Sequence, residues 1–202
     1  MGGADVSAPG RSQALMPEPF KGEGPPVRGL HFIIGGMRSG KSRYAQSLAS
    51  SHRNVTVIAT ALGADDEMRE RIERHRADRP AHWHVVEAPA TVSGLADAIA
   101  AHAAADVCLL IDCLTLWLSQ SSCPPPGVAA VDAGGAAALT LQALGNAPGR
   151  IIVVSNEIGL GVVPMDAATR RVVDALGRLH QDVAVMATQV SWLMAGLPVT
   201  IK

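Results

Sequence analysis

The run His31-Phe32-Ile33-Ile34-Gly35-Gly36-Met37-Arg38-Ser39-Gly40-Lys41-Ser42 decides how the rest of the chain is read. A short apolar stretch enters a glycine-rich turn, and a lysine and a serine then open a segment of helix-forming composition. Gly35 to Ser42 fits G-x-x-x-x-G-K-[ST], the spacing of a loop that cradles phosphate. Glycines let successive backbone N–H groups curl around phosphate oxygens. The helix that follows turns its positive dipole end toward the same anion. In such a loop Lys41 reaches the β/γ-phosphates and the Ser42 hydroxyl binds Mg²⁺. The context agrees, with Phe32 to Ile34 strand-like and Arg43 to Ser50 helix-like. A plain strand-turn-helix with an accidental Gly-Lys-Ser is the alternative.

Composition narrows the class. The 202 residues predict one domain with a real core, and 48% hydrophobic against 17% charged residues exclude a disordered chain. A net charge of −1 argues against broad nucleic-acid binding, and only 3% aromatics argue against base-stacking platforms. The cysteines Cys108, Cys113 and Cys123 show no C-x-x-C spacing, and their odd number suits the reduced thiols of a cytoplasmic protein. Cys113 beside Asp112 reads either as a nucleophile or as a small buried residue. No apolar run is long enough to span a bilayer, and no signal peptide is evident.

Outward from the phosphate loop, residues 1–28 alternate proline with glycine and predict a flexible extension that the chemistry does not need, leaving 29–202 as the domain. Asn54 to Thr60, His84 to Glu87, Val107 to Asp112 and Arg150 to Ser155 read as strands separated by helical segments, hence an α/β sheet. Ligands in such sheets bind at the carboxyl ends of strands. Thr60 and Ala61 are therefore either nucleotide neighbours or an ordinary strand end. Asp112 is either the second Mg²⁺-binding acid or a helix cap. Asn156 and Glu157 open a glycine-punctuated loop that runs to Pro164, as active-site groups or as a structural turn.

Asp65 to Arg76 predicts a strongly charged helix, with Glu67–Arg71 and Glu70–Arg74 in the favourable i,i+4 order. Met68, Ile72 and His75 share one face of it, so a histidine closes the apolar stripe. That histidine reads as a packing residue or a functional one. Arg76 to Arg79 leads into a polar connection where arginines could clamp phosphate. His82 and His84 hint at metal but lack a third ligand. The spacing further predicts helices over Thr91–Ala103, Leu114–Leu118, Ala136–Leu144 and Ala167–Ala184, the last capped by Asp166. Ser121 to Gly135 predicts a long surface loop, and Gly196-Leu197-Pro198 the turn between two short C-terminal strands.

Taken in order, these segments resemble one family. Gly-Gly-Met-Arg-Ser-Gly-Lys-Ser at 35–42, Ile-Ala-Thr-Ala at 58–61, Asp-Asp-Glu-Met at 65–68, Arg-Ile-Glu-Arg-His-Arg at 71–76 and Arg-Pro-Ala-His-Trp at 79–83 come first. Leu-Ile-Asp-Cys-Leu-Thr-Leu-Trp-Leu at 110–118 and Val-Ser-Asn-Glu-Ile-Gly-Leu-Gly-Val-Val-Pro at 154–164 follow. From Gly29 to Lys202 the chain resembles the bifunctional adenosylcobinamide kinase / adenosylcobinamide-phosphate guanylyltransferases of cobalamin biosynthesis.

The resemblance implies a P-loop NTPase fold, a RecA-like, mostly parallel sheet flanked by helices with short strands at the C-terminus. It implies that ATP or GTP phosphorylates adenosylcobinamide, and that GTP then donates GMP to the product through a covalent histidine. The matching position is His75; where some members carry a second histidine this chain has Arg74. Lys41 is the second catalytic group. Gly35, Gly36, Met37, Arg38, Ser39, Gly40, Lys41, Ser42, Ala59, Thr60, Ala61, Arg76, Ala77, Asp78, Arg79, Glu87 and Asp112 are the implied nucleotide contacts. Ser42 and Asp112 hold Mg²⁺, and Glu87 reads guanine. A homo-oligomer, a trimer, is implied as well. Two other readings compete: a monofunctional P-loop small-molecule kinase without a covalent intermediate, and a nucleotide-gated regulator.

Overall fold

A computed structural model describes residues 29–61, 66–77, 79–122 and 131–202. Within them the chain alternates strand and helix: β1 (Leu30–Gly35), α1 (Lys41–Ala49), β2 (Asn54–Ala59), α2 (Asp66–Ala77), β3 (His84–Glu87), α3 (Gly94–His102) and β4 (Val107–Asp112). Then come α4 (Leu114–Ser122), α5 (Ala133–Asn146), β5 (Arg150–Asn156), α6 (Ala167–Met186), β6 (Gln189–Met194) and β7 (Leu197–Thr200). The strands form one sheet in the order β3-β2-β4-β5-β1-β6-β7. Every pairing is parallel except the final β6–β7 hairpin.

The aliphatic strands are buried on both faces, as a parallel sheet between helices requires. Successive residues alternate sides. Phe32, Ile34, Leu109, Ile111, Ile151 and Val153 pack with Leu95 and Ile99 of α3, Trp117 of α4, Leu144 of α5 and Leu176 of α6. Their neighbours Ile33, Leu110, Ile152 and Val154 pack on the other face with Ala45 and Ala49 of α1 and with Trp83. The expected mostly parallel sheet flanked by helices is thus what the chain forms.

The parallel arrangement brings six carboxyl ends to one edge. Register sets Ala59 between Glu87 and Asp112, and Gly35 beside Asn156. That edge is where ligands of open α/β sheets bind.

Three details depart from the sequence reading. Gly134 and Gly135 lie inside α5, because the Asp132 carboxylate accepts from both of their N–H groups, at 3.2 and 3.0 Å, and starts the helix earlier. α4 runs on to Ser122. The C-terminal turn is Ala195–Gly196, with φ of 52° and 83°, rather than Gly196-Leu197-Pro198. Pro198 sits in β7 opposite Leu193, where an outer strand tolerates a missing N–H. Asp166 caps α6 as expected, accepting from Thr169 N–H at 2.7 Å. The extension 1–28, Asp65, Asp78, Cys123 and the triple proline at 124–126 lie outside the described residues.

Candidate active site

β1 ends at Gly35, and its neighbour β6 passes so close that a Cβ there would stand 2.4 Å from the Leu193 carbonyl oxygen. Only glycine fits. Gly40, at φ 93°, is the N-cap of α1 and offers no side chain to the first turn. The amide groups of that turn are left facing whatever anion the loop receives. Arg38 takes φ 56°, strain of the kind stored at functional loops. Lys41 is buried, and its ammonium donates to the Gly36 carbonyl at 2.6 Å and to Ser39 Oγ at 3.4 Å. The loop thus carries its cation inside the curl.

One residue into α1, the Ser42 hydroxyl donates to Asp112 Oδ1 at 3.3 Å. Asp112 closes β4, so two strand ends meet over one small space. Arg79 reaches the other carboxylate oxygen at 3.9 Å, and both side chains are largely buried. Burial pushes the Arg79 pKa down; Asp112 pulls it back up, and the like charge of Arg76 lowers it again. Arg79 Nε is buried without a hydrogen-bond partner among the described residues. A buried guanidinium with donor capacity left is suited to phosphate.

Ala59 and Ala61 flank Thr60 at the end of β2. Thr60 is buried, and its hydroxyl is engaged: it accepts from Cys113 N–H at 2.8 Å and donates to the Cys113 carbonyl at 2.7 Å. Its side chain locks the end of β2 to the residue after Asp112.

At the end of α2, Arg76 donates to Glu87 Oε1 at 2.6 Å, an exposed ion pair tying helix to strand end. His75, half-buried, precedes Arg76, and Ala77 ends the helix. The pair sets the end of α2 that carries His75 beside the same sheet edge as Asp112, with β2 between. Arg76, Arg79, Pro80, Trp83, Val85 and Glu87 line a cleft of about 580 Å³. It combines apolar walls with two cations and a carboxylate, an apolar pocket with a few placed polar groups.

Other sequence candidates fall elsewhere. Cys113 is buried, and burial first, then Asp112, push its thiol up to about 12, so the nucleophile reading fails. Cys108 is pushed up to about 11 by burial. His84 meets His102 ring to ring at 5.5 Å, and no cluster of three His, Cys, Asp or Glu among the described residues could hold a metal. The Glu157 carboxylate accepts from Gly159 N–H at 2.6 Å, which makes it a turn-former.

The sequence reading missed a buried relay. His180 Nε2 lies 2.7 Å from Ser155 Oγ, which lies 2.9 Å from Thr115 Oγ1, which in turn accepts from Asn156 N–H at 2.7 Å. It joins α6, β5 and α4 beneath the site edge. The available signal was a histidine at 180 inside the apolar face of α6.

A family model described as cobinamide kinase / cobinamide phosphate guanyltransferase matches residues 31–201. A Pseudomonas aeruginosa protein named bifunctional adenosylcobalamin biosynthesis protein CobP is 49% identical over 172 residues, 84% of this chain and 95% of that relative. Proteins named bifunctional adenosylcobalamin biosynthesis protein CobU, from Salmonella typhimurium and Escherichia coli, are each 33% identical over 180 residues, 84% of this chain and 98% of those relatives.

Proposed function

The chain belongs to the cobinamide kinase / cobinamide phosphate guanyltransferase family, and from that premise we propose how one sheet edge carries out two transfers. It is an enzyme of cobalamin biosynthesis, and because the curated relatives are named bifunctional, the kinase-only reading falls away. Adenosylcobinamide is phosphorylated on its aminopropanol hydroxyl, and the phosphate then accepts GMP from GTP, giving adenosylcobinamide-GDP and pyrophosphate.

In the first step the acceptor hydroxyl attacks the γ-phosphorus of ATP or GTP, and the bond to the nucleoside diphosphate breaks. Gly35 to Gly40 and the α1 amides cradle the phosphates, and Lys41 offsets their charge. In the second, a ring nitrogen of His75 attacks the α-phosphorus of GTP. The new P–N bond forms as the α–β P–O bond breaks, and pyrophosphate leaves. A phosphate oxygen of the acceptor then attacks the same phosphorus and frees the imidazole, so one difficult transfer becomes two easier ones.

Arg76, Arg79, Ala77, Asp78 and Ala59 to Ala61 complete the nucleotide contacts in this reading, Thr60 through its backbone. Glu87 reads guanine, since a carboxylate accepts from N1–H and N2–H together. Ser42 and Asp112 offer hydroxyl and carboxylate oxygens 3.3 Å apart, a hard donor pair of the kind Mg²⁺ combines with substrate phosphates. When bound there, Mg²⁺ supplies charge neutralisation on the triphosphate.

The observation that carries the reading is the meeting of Ser42, Asp112 and Arg79 beside the phosphate loop, with the end of α2 that carries His75 set beside the same edge by the Arg76–Glu87 pair. We also assign the protein to the cytoplasm as a homo-oligomer, a trimer, with residues 1–28 dispensable. No helix among the described residues is long and apolar enough to cross a membrane. The test is product analysis by mass spectrometry. ATP plus adenosylcobinamide gives the phosphate, and added GTP gives adenosylcobinamide-GDP; phosphate alone, with GTP present, would contradict the second activity.

A further inference from the structure

The loop between β5 and α6 is apolar, exposed and held. Leu160, Val162 and Val163 are 78%, 95% and 71% exposed, and Ile158 is exposed beside them. Scattered surface aliphatics need no explanation, but a contiguous run of them marks a binding surface. This run is tethered at both ends. At its start Glu157 N–H donates to the Gly35 carbonyl at 3.0 Å, and the Glu157 carboxylate turns the chain at Gly159. At its end the Arg170 guanidinium donates to the carbonyls of Pro164 and Met165 at 2.7 and 2.6 Å. The buried Thr115–Ser155–His180 relay holds Asn156 from below. Aliphatic side chains are thus presented to solvent from a segment anchored at both ends, its start bonded to the first glycine of the phosphate loop.

We propose that Ile158, Leu160, Val162 and Val163 form the ledge that seats the corrin ring of adenosylcobinamide, making them specificity-determining residues for the acceptor. The assignment rests on the function proposed above and deepens it. A cobinamide is a broad macrocycle whose rim carries methyl groups between amide side chains, and one of its arms, the aminopropanol arm, ends in the acceptor oxygen. The arm must reach the phosphate loop, so the ring must lie one arm's length away on a surface that buries methyl groups. The Glu157–Gly35 bond makes the ledge continuous with that loop.

The test compares wild type with Leu160→Ser/Val162→Ser in three assays: KM for adenosylcobinamide, labelling of the protein by α-³²P-GTP alone, and mass by sedimentation velocity. The ledge predicts a KM for adenosylcobinamide raised about tenfold or more, with GTP labelling and mass unchanged. An unchanged KM overturns it. A fall in mass also overturns it and assigns the surface to a second copy of the chain. Leu160→Ser alone, run in parallel with the same criteria, decides the matter if the double variant loses its GTP labelling. Wild type that neither takes label nor phosphorylates adenosylcobinamide overturns the proposed function and the ledge together, an outcome distinct from the variant behaving like wild type.

Discussion

The Ser42 hydroxyl donates to Asp112 Oδ1 across 3.3 Å, although 70 residues separate the two in sequence. The parallel sheet makes this possible: β1 and β4 flank β5, so their carboxyl ends open on the same edge. Asp112→Asn keeps the size of the side chain and removes its charge. Both transfers are expected to slow about 100-fold, and the Mg²⁺ concentration for half-maximal rate is expected to rise. A Mg²⁺ titration of wild type and variant checks this; an unaltered Mg²⁺ dependence would remove Asp112 from the metal site.

The Arg76–Glu87 pair is exposed on both sides, so its worth to the fold is small. Glu87→Gln is expected to change unfolding free energy by no more than about 1 kcal/mol. If Glu87 reads guanine, the same variant lowers the preference for GTP over ITP, which lacks the N2 amino group, by about tenfold. Steady-state guanylyl transfer with the two nucleotides, beside urea unfolding, separates the roles.

Two adjacent glycines should behave differently. A Cβ on Gly35 meets the Leu193 carbonyl oxygen at 2.4 Å, whereas one on Gly36 meets nothing within 4 Å. Backbone cannot swing aside as a side-chain tip can. Gly35→Ala is therefore expected to lose about 2 kcal/mol or more, and Gly36→Ala to unfold close to wild type. Thermal melts of the two variants make the comparison.

Acid should destabilise the fold through two buried histidines. Burial pushes His180 down to about 4, and burial with the nearby charge of Arg150 does the same to His31. Unfolded, each titrates near its ordinary 6.5, so between pH 6.5 and pH 4 the unfolded chain binds protons that the folded chain does not. Stability is therefore full above pH 6.5 and falls as pH drops to about 4, by roughly 3 kcal/mol for each histidine. Urea unfolding across that range checks the slope, and His180→Gln should flatten it.

The phosphate loop, the aliphatic strands of an α/β sheet and the acid that ends β4 could be read from the sequence because each depends on local pattern: a glycine spacing, an aliphatic run, an acid at a strand end. That the sheet is mostly parallel came from the family resemblance. Asp166 was legible as a cap for the same reason. What escaped depends on partners far along the chain. Nothing local tells that Thr60 gives its hydroxyl to Cys113, or that His180 reaches Ser155. Gly134–Gly135 and Pro198 were misplaced because glycine and proline were read as breakers. The Asp132 carboxylate and an outer strand position neutralise those tendencies. His75 is the sharpest case. On spacing alone it closes an apolar stripe, and only the resemblance of the ordered family segments supports the nucleophile role proposed for it.

That assignment is the centre of the account, and labelling with α-³²P-GTP tests it most directly. Wild type with Mg²⁺ is predicted to acquire label that is acid-labile and alkali-stable, as a phosphoramidate is, while His75→Ala acquires none and still binds GTP. Label that persists in His75→Ala, or a folded, GTP-binding wild type that takes none, would contradict the guanylyl-histidine.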